Sequence, residues 1–287
     1  VTVDKRTGTT RLDENTQAEI IDLPGIYSLY PRSLDEKIVA EIFSDRRNNY
    51  FPNKVILVAD ATNLQSSLLL LTQLIDLRLP TVLVLNMVDL AAKSGQNIDV
   101  IKLSINLDLP VVLVNARTGQ GIKELKKVLA GHIPVSRQKI YSIDEEILPA
   151  VDKTKQHFKL ESNYEAYQYL QQVENLSFLR EEDKAFIESL AKQYEFFPGK
   201  YQGAETIIRY QYIQDLLGKV VLKTADTEWK RFSHRIDKVL THKVWGYLIF
   251  FSILFLIFQS IFAWAQAPMD FIDSTFANLS NVLKDVF

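Results

Sequence analysis

Three short polar motifs follow three strand-like runs, and they contain the residue types best suited to bind a ligand. In chain order they are Asp22-Leu23-Pro24-Gly25, Asn86-Met87-Val88-Asp89 and Asn115-Ala116-Arg117. Alone, each motif is weak evidence, because the first is commonly a turn, the second is commonly a helix cap, and the third carries little information. Ligands of α/β sheets bind at the carboxyl ends of the strands. The ordered set therefore predicts a binding site of carboxylate, amide and backbone groups.

The segments around these motifs alternate between strand and helix patterns. Short β-branched runs at 54–59, 81–85 and 110–114 are typical of strands covered on both faces, and 2–12 and 17–22 predict two further strands. Helical patterns occupy 33–44, 64–77, 98–107 and 122–130. This alternation predicts a doubly wound, mostly parallel α/β sheet.

With the motifs at these places, the first part of the chain resembles the GTPase domains of the P-loop class. The resemblance implies GTP or GDP and Mg²⁺ as cofactors. It implies that Asp22 holds Mg²⁺ through a water, that the Gly25 backbone N–H meets the γ-phosphate, and that Asp89 accepts two hydrogen bonds from guanine. A carboxylate at that position selects guanine over adenine, since the wrong base would leave polar groups unpaired.

The same resemblance assigns roles to the remaining motif residues. Asn86 would brace neighbouring loops, and the Ala116 backbone N–H would contact guanine O6. Thr2 matches the threonine that closes over Mg²⁺ in the GTP state, so Thr2 and Asp22 are the implied metal residues. The implied nucleotide-binding set is Thr2, Asp22, Leu23, Pro24, Gly25, Asn86, Met87, Asp89, Asn115, Ala116 and Arg117.

Two departures from that class bear on activity. No GxxxxGK[ST] phosphate loop occurs in the sequence. We expect the loop to lie upstream of Val1 in a longer protein, so that the sheet is N-terminally truncated here; a degenerate GTPase is the alternative. The residue after Gly25 is Ile26, not a glutamine that orients water. Hydrolysis by the full-length protein is therefore expected to be slow, this chain is expected to be inactive alone, and no catalytic residue is assigned.

An uncharged apolar run from Val244 to Ala265 predicts a transmembrane helix. Its 22 residues would extend ~33 Å, which is enough for the ~30 Å bilayer core. A soluble helix of this length would have a polar stripe, and this run has none. Seven Lys and Arg residues lie between 219 and 243, before the run. Three Asp residues and one Lys lie after it. The basic side stays in the cytoplasm, which places residues 1–243 there. The acidic end, from Met269 to Phe287, has the pattern of an amphipathic helix.

Between these parts, tyrosine and phenylalanine recur at helical spacing. Those residues are Phe158, Tyr164, Tyr167, Phe178, Phe186, Tyr194, Tyr210 and Tyr212. They predict a small all-α bundle with an aromatic core, whose last helix covers 204–221. The predicted organisation is a GTPase domain (1–133), a helical domain (134–227), a basic linker (228–243), a transmembrane helix (244–266) and the start of an extracytoplasmic segment (267–287).

A narrower resemblance covers essentially the whole chain. Two stretches of the sequence resemble the FeoB-type ferrous iron transport proteins. The first is DLPGIYSLYPRSLDEKIVAEI, which includes the end of the second predicted strand, and the second is DKVLTHK, which precedes an aromatic span that leads to APMD. The resemblance implies GTP-dependent Fe²⁺ uptake across the bacterial cytoplasmic membrane by a longer, multi-pass protein. It implies a helical domain that couples nucleotide state to the membrane part and restrains nucleotide release. The lipid bilayer, a second copy in a homo-oligomer and small accessory Feo proteins are the implied partners.

Other function classes fit less well. A membrane-tethered regulatory or assembly GTPase without transport remains the alternative. The net charge of −2 and the lack of a basic run with interleaved aromatics argue against nucleic-acid binding. Without cysteine, the sequence has no disulfide framework, zinc ribbon or cysteine nucleophile, and its four histidines lack the spacing of a helical metal pair.

Overall fold

The computed structural model describes residues 6–223, 240–261 and 268–277. Thr2, most of the predicted linker (228–239) and the stretches 262–267 and 278–287 lie outside the described residues. Two compact units make up the chain, Val1–Ala225 and Asp226–Phe287. The first unit contains the described strands and all the motifs that the structure covers.

The described strands form three small sheets. In chain order the strands are β1 (Arg6–Arg11), β2 (Gln17–Asp22), β3 (Val55–Asp60), β4 (Thr81–Asn86), β5 (Gln96–Ile98), β6 (Val111–Leu113) and β7 (Val221–Lys223). Parallel pairing in the order β3–β4–β6 forms the central sheet, β1 and β2 form an antiparallel hairpin, and β5 pairs antiparallel with β7. The middle strand is covered on both faces, which explains its unalternating sequence TVLVLN.

In the first half of the chain the helices alternate with strands, and in the second half they follow one another along the chain. They are α1 (Leu34–Ser44), α2 (Leu64–Asp76), α3 (Val88–Lys93), α4 (Val100–Leu107), α5 (Ile122–Ala130), α6 (Leu148–Phe158), α7 (Asn163–Gln172), α8 (Glu181–Gln193) and α9 (Pro198–Val220). Side-chain caps from Ser33, Asp99 and Ser162 start three of them. The α9 helix begins at Pro198 instead of the predicted Ala204, because proline fits the first helical turn. The predicted α/β class with a parallel sheet is confirmed.

One feature of the sheet differs from the sequence prediction. The hairpin strand β2 was expected in the same sheet as β4 and β6, yet no backbone ladder joins β2 to β3 among the described residues. Within the described ranges, β2 and β3 therefore each have one edge without a strand partner. Ile20 on β2 and Val58 on β3 are 42% and 61% exposed, which is unusual for β-branched residues of a layered sheet.

The helical region shares its core with the sheet region. Leu29 and Val39 belong to the same buried cluster as Tyr164 and Tyr167 of α7. A second cluster joins Ile213 and Leu216 of α9 to buried leucines of α2 and α4. The helical residues up to α9 thus pack onto the sheet layer within one unit, and the aromatic side chains predicted as core contribute to that packing.

A charged cluster is buried between α2 and α9. Arg209 is fully buried; its Nη1 lies 2.8 Å from Oδ2 of Asp76, and its Nε donates to Oε1 of Glu205 at 2.7 Å. The guanidinium lies over the rings of Tyr141 and Tyr164. Asp76 also accepts hydrogen bonds from the Ile140 and Tyr141 backbone N–H groups. Burial raises the pKa of Asp76, and Arg209 and these donors oppose that shift.

The second unit contains α10 (Trp245–Gln259) and a helix at 268–277. The side chain of His242 accepts from the backbone N–H groups of Val244 and Trp245 at the start of α10. In the part of the chain that the structure describes, no helix is long and apolar enough to cross a membrane. The predicted span at 244–266 overlaps α10 and continues beyond the described residues, so it stays a prediction.

The buried cluster generates a stability prediction. Arg209→Met keeps an unbranched side chain at this position but leaves two buried carboxylates without their cation. We expect it to lower the free energy of unfolding by about 3–5 kcal/mol, measured by urea denaturation. Arg180→Met is the control, because Arg180 is 75% exposed and pairs with Asp183 at the surface; it should change the free energy by less than about 1 kcal/mol. Equal effects of the two substitutions would contradict the role given to the cluster.

Candidate functional site

The first motif lies at the end of the hairpin. Asp22 is the last residue of β2 and is exposed, and no hydrogen bond or ion pair engages its carboxylate among the described residues. Leu23 packs against the apolar core, whereas Gly25 is exposed and has open space around its Cα. The segment thus has one anchored face and one free face, and the free face has a carboxylate and an accessible backbone.

The second motif turns the chain from β4 into α3. Met87 has a left-handed backbone (φ 60°), and its carbonyl accepts from the N–H groups of Leu90 and Ala91. This turn places Asp89 in the first turn of α3, where it is exposed and has no hydrogen-bond partner among the described residues. No side chain caps α3, so the interpretation of this motif as a helix cap is not realised.

The third motif belongs to a tight loop between β6 and α5. Oδ1 of Asn115 accepts from the backbone N–H groups of Arg117 and Thr118, and the Asn115 N–H donates to the Gln120 carbonyl at 3.0 Å. Gly121 closes the loop with φ 83°, and a Cβ there would lie 1.9 Å from the Leu113 carbonyl oxygen. Glycine is required at this position by both backbone conformation and space.

The structure brings the second and third motifs together. The Val114 N–H donates to the Leu85 carbonyl at 2.9 Å, and the Ala116 N–H donates to Oδ1 of Asn86 at 3.3 Å. Asn86 thus joins the two loops through this contact. The same contact occupies the Ala116 N–H that was expected to meet guanine O6, although a hydrogen bond of this length is weak. No described hydrogen bond links Asp22 to the other motifs, and Thr2 lies outside the described residues.

Sequence reasoning missed Asp60 at the end of β3. The parallel register places Asp60 directly beside Asn86, and its carboxylate accepts from the Thr62 N–H and hydroxyl at 2.8 and 2.7 Å. The signal was available, because a polar residue directly follows the buried run KVILVA. In contrast, no local pattern indicates the contacts of Tyr30 and Gln73 with distant parts of the chain.

The described residues meet only some of the requirements of a Mg²⁺ site. Among the described residues, no group of three His, Cys, Asp or Glu side chains is arranged to hold an ion. The free carboxylate of Asp22 is nonetheless the hard oxygen donor that Mg²⁺ prefers, and Mg²⁺ commonly keeps several waters. A shallow depression of about 280 Å³, lined by β1 together with Ile20 and Asp22, lies beside this carboxylate.

Comparison with known proteins gives consistent results. A family model described as "Ferrous iron transport protein B" matches residues 1–129. The chain is 33% identical over its whole length to the Fe(2+) transporter FeoB of Leptospira biflexa and spans 42% of that protein.

Solved structures agree in fold. The cytosolic domain of L. pneumophila FeoB is similar with a TM-score of 0.62 and 30% identity, covering 78% of this chain and 87% of that one. The cytosolic domain of the T. maritima FeoB iron transporter in its GMPPNP form has a TM-score of 0.57 and 26% identity, covering 77% and 86%. Together with the three motifs, these similarities mean that the chain belongs to the FeoB family of ferrous iron transport proteins.

Proposed function

We propose that this chain is the GTP-binding and regulatory part of a protein that takes up Fe²⁺ across the bacterial cytoplasmic membrane. The observation that carries the proposal is the contact of Asn86 with the Ala116 backbone, which holds the second and third motifs together beside the free carboxylate of Asp89. The transport activity in this proposal comes from the match to FeoB relatives. The chain itself spans less than half of the L. biflexa protein.

Guanine recognition follows from the donor pattern of the base. Guanine presents N1–H and an exocyclic amine side by side, and the two oxygens of the Asp89 carboxylate accept both. Adenine presents no donor at N1 and would leave the carboxylate unpaired, which is strongly unfavourable in a shielded site. The proposed cofactor is therefore GTP or GDP, in line with the GMPPNP form of the T. maritima neighbour.

The phosphate side of the site is proposed from Asp22 and Gly25. Asp22 would hold Mg²⁺ through a water, and the ion would supply positive charge to the phosphates. The Gly25 backbone is accessible for a γ-phosphate. Ile26 packs against the apolar core and has no group to orient water, which supports slow hydrolysis.

Contacts between the sheet region and the helical region support a coupling role. Tyr169 donates to the Ser44 carbonyl at 2.9 Å, and Arg46 pairs with Glu165 at 3.2 Å. The two contacts hold the C-terminal end of α1 and the residues just beyond it against α7, and α1 is the helix that follows the first motif. A nucleotide-dependent shift of that motif would therefore act on the helical region, and through α9 on the residues that lead to the second unit.

Membrane attachment is proposed from the second unit. The side chains of α10 are apolar almost throughout and are exposed on all faces, including Trp245, Phe251 and Phe255. A lipid environment would remove this surface from water. We keep 244–266 as the proposed span, 1–243 as the cytoplasmic part and 267–287 as the start of the far side. Self-association and accessory Feo proteins remain proposed partners.

A change of base specificity tests the guanine site. Asp89→Asn replaces one acceptor by a donor, which matches the 2-carbonyl of xanthine instead of the guanine amine. In the full-length protein we expect GDP affinity to fall about 100-fold or more and xanthosine diphosphate to bind better than GDP, measured by competition with a fluorescent nucleotide.

The control for this change is Asp99→Asn. Asp99 is a half-buried aspartate directly after β5, and its carboxylate caps α4 by accepting from the Lys102 N–H. It should leave the ratio of GDP to xanthosine diphosphate affinity unchanged. Unaltered base preference in the Asp89 variant would refute the assignment.

A second prediction concerns the phosphates. Because no GxxxxGK[ST] occurs in the 287 residues, the chain alone lacks the backbone cradle and lysine that hold the β- and γ-phosphates. We expect its dissociation constant for GDP to be in the millimolar range, about −4 kcal/mol of binding free energy, by isothermal titration calorimetry. Micromolar binding would show that other groups replace the loop.

A further inference from the structure

The segment after Gly25 is held inside the helical region by a buried tyrosine. The Tyr30 hydroxyl donates to Oε2 of Glu205 on α9 and accepts from Nε2 of Gln168 on α7 at 3.2 Å. Tyr30 is 8% exposed and Glu205 is fully buried. Burial, the nearby Tyr164 and the Glu205 charge raise the pKa of Tyr30 well above its ordinary value, so the hydroxyl keeps its proton and remains a donor.

A second anchor lies one residue earlier. The buried Leu29 N–H donates to Oε1 of Gln73 on α2 at 2.8 Å. Both anchors are close to Gly25 along the chain: the four residues to Leu29 span at most about 14 Å when fully extended, and the five to Tyr30 span at most about 18 Å. Closer to Gly25, Leu23 before it and Ile26 after it pack against the core. Gly25 is therefore an exposed backbone position between fixed points.

The far end of the Tyr30 anchor is rigid. Oε1 of Glu205 accepts from the Tyr164 hydroxyl at 2.6 Å and from Nε of Arg209 at 2.7 Å. Arg209 in turn is fixed by Asp76 and by two tyrosine rings. Because Arg209 is buried and ion-paired with both Asp76 and Glu205, movement of Glu205 would leave a buried charge without its partner. Tyr30 thus connects the first motif to a part of the fold that resists displacement.

We propose that Tyr30 is a positioning residue whose contact with Glu205 and Gln168 pre-organises Gly25 for the γ-phosphate and so sets the preference for nucleoside triphosphate over diphosphate. The inference rests on the proposed nucleotide site. A triphosphate contacts the segment that contains Gly25, whereas a diphosphate ends before it. Pre-ordering of the segment lowers the entropic cost of binding for the triphosphate alone.

The test compares Tyr30→Phe with Tyr169→Phe in the full-length protein. Tyr30→Phe keeps the ring and removes both hydroxyl contacts. We expect its affinity for the triphosphate analogue GMPPNP to fall about fivefold or more, with GDP affinity within about twofold of wild type. Tyr169→Phe removes an equally buried hydroxyl that contacts Ser44 instead of the segment, and it should leave the ratio of the two affinities unchanged.

Gln73→Leu removes the other anchor and should give the same selective loss as Tyr30→Phe. Equal losses for both nucleotides, an unchanged ratio, or tighter GMPPNP binding would overturn the inference. If wild type binds neither nucleotide, the proposed function fails and this inference with it.

A readout without nucleotide separates the two proposals. Amide hydrogen exchange in the 287-residue chain should become faster across residues 22–33 in Tyr30→Phe, but not in Tyr169→Phe. Unchanged exchange in that segment would overturn the anchoring role of Tyr30 whatever the nucleotide affinities are. Faster exchange with no nucleotide binding by wild type would place the error in the proposed function.

Discussion

Burial of the Arg209 guanidinium is the constraint on which the arrangement of the first unit depends. A charge removed from water needs close partners, and the partners of Arg209 come from different elements: Asp76 from α2 and Glu205 from α9. Tyr141 and Tyr164 enclose it. One side chain thereby fixes the helical region against the sheet layer, and it also fixes the carboxylate that holds Tyr30.

The candidate site combines loops held by hydrogen bonds with side chains that are free to bind a ligand. The second and third motifs are joined through Asn86, and Gly121 permits the tight loop that puts Ala116 in reach. Asp22 and Asp89, by contrast, are exposed and unengaged among the described residues. Ile20, which is exposed, lies on β2 two residues before Asp22 and lines the same shallow depression.

Local sequence patterns predicted much of this, and their limits have physical causes. The runs TVLVL and KVILVA predicted buried strands because strands covered on both faces need continuous apolar residues. Asn86 and Asn115 were predicted because they directly follow TVLVL and PVVLV, whereas Asp60 after KVILVA was missed. The contact of Tyr30 with Glu205 joins residues 175 positions apart, and no local pattern encodes such a pairing. The separation of β2 from β3 was missed for the same reason, since strand pairing is a non-local property.

The most direct test of the account is Fe²⁺ uptake by the full-length protein in proteoliposomes, with nucleotide supplied on the side of the GTPase region. The account predicts uptake with GTP for wild type, and uptake with xanthosine triphosphate but not with GTP for Asp89→Asn at equal protein level. Equal uptake by both proteins with GTP would contradict it, because guanine recognition at Asp89 would then have no link to transport. Absence of uptake under every condition would favour the membrane-tethered GTPase instead.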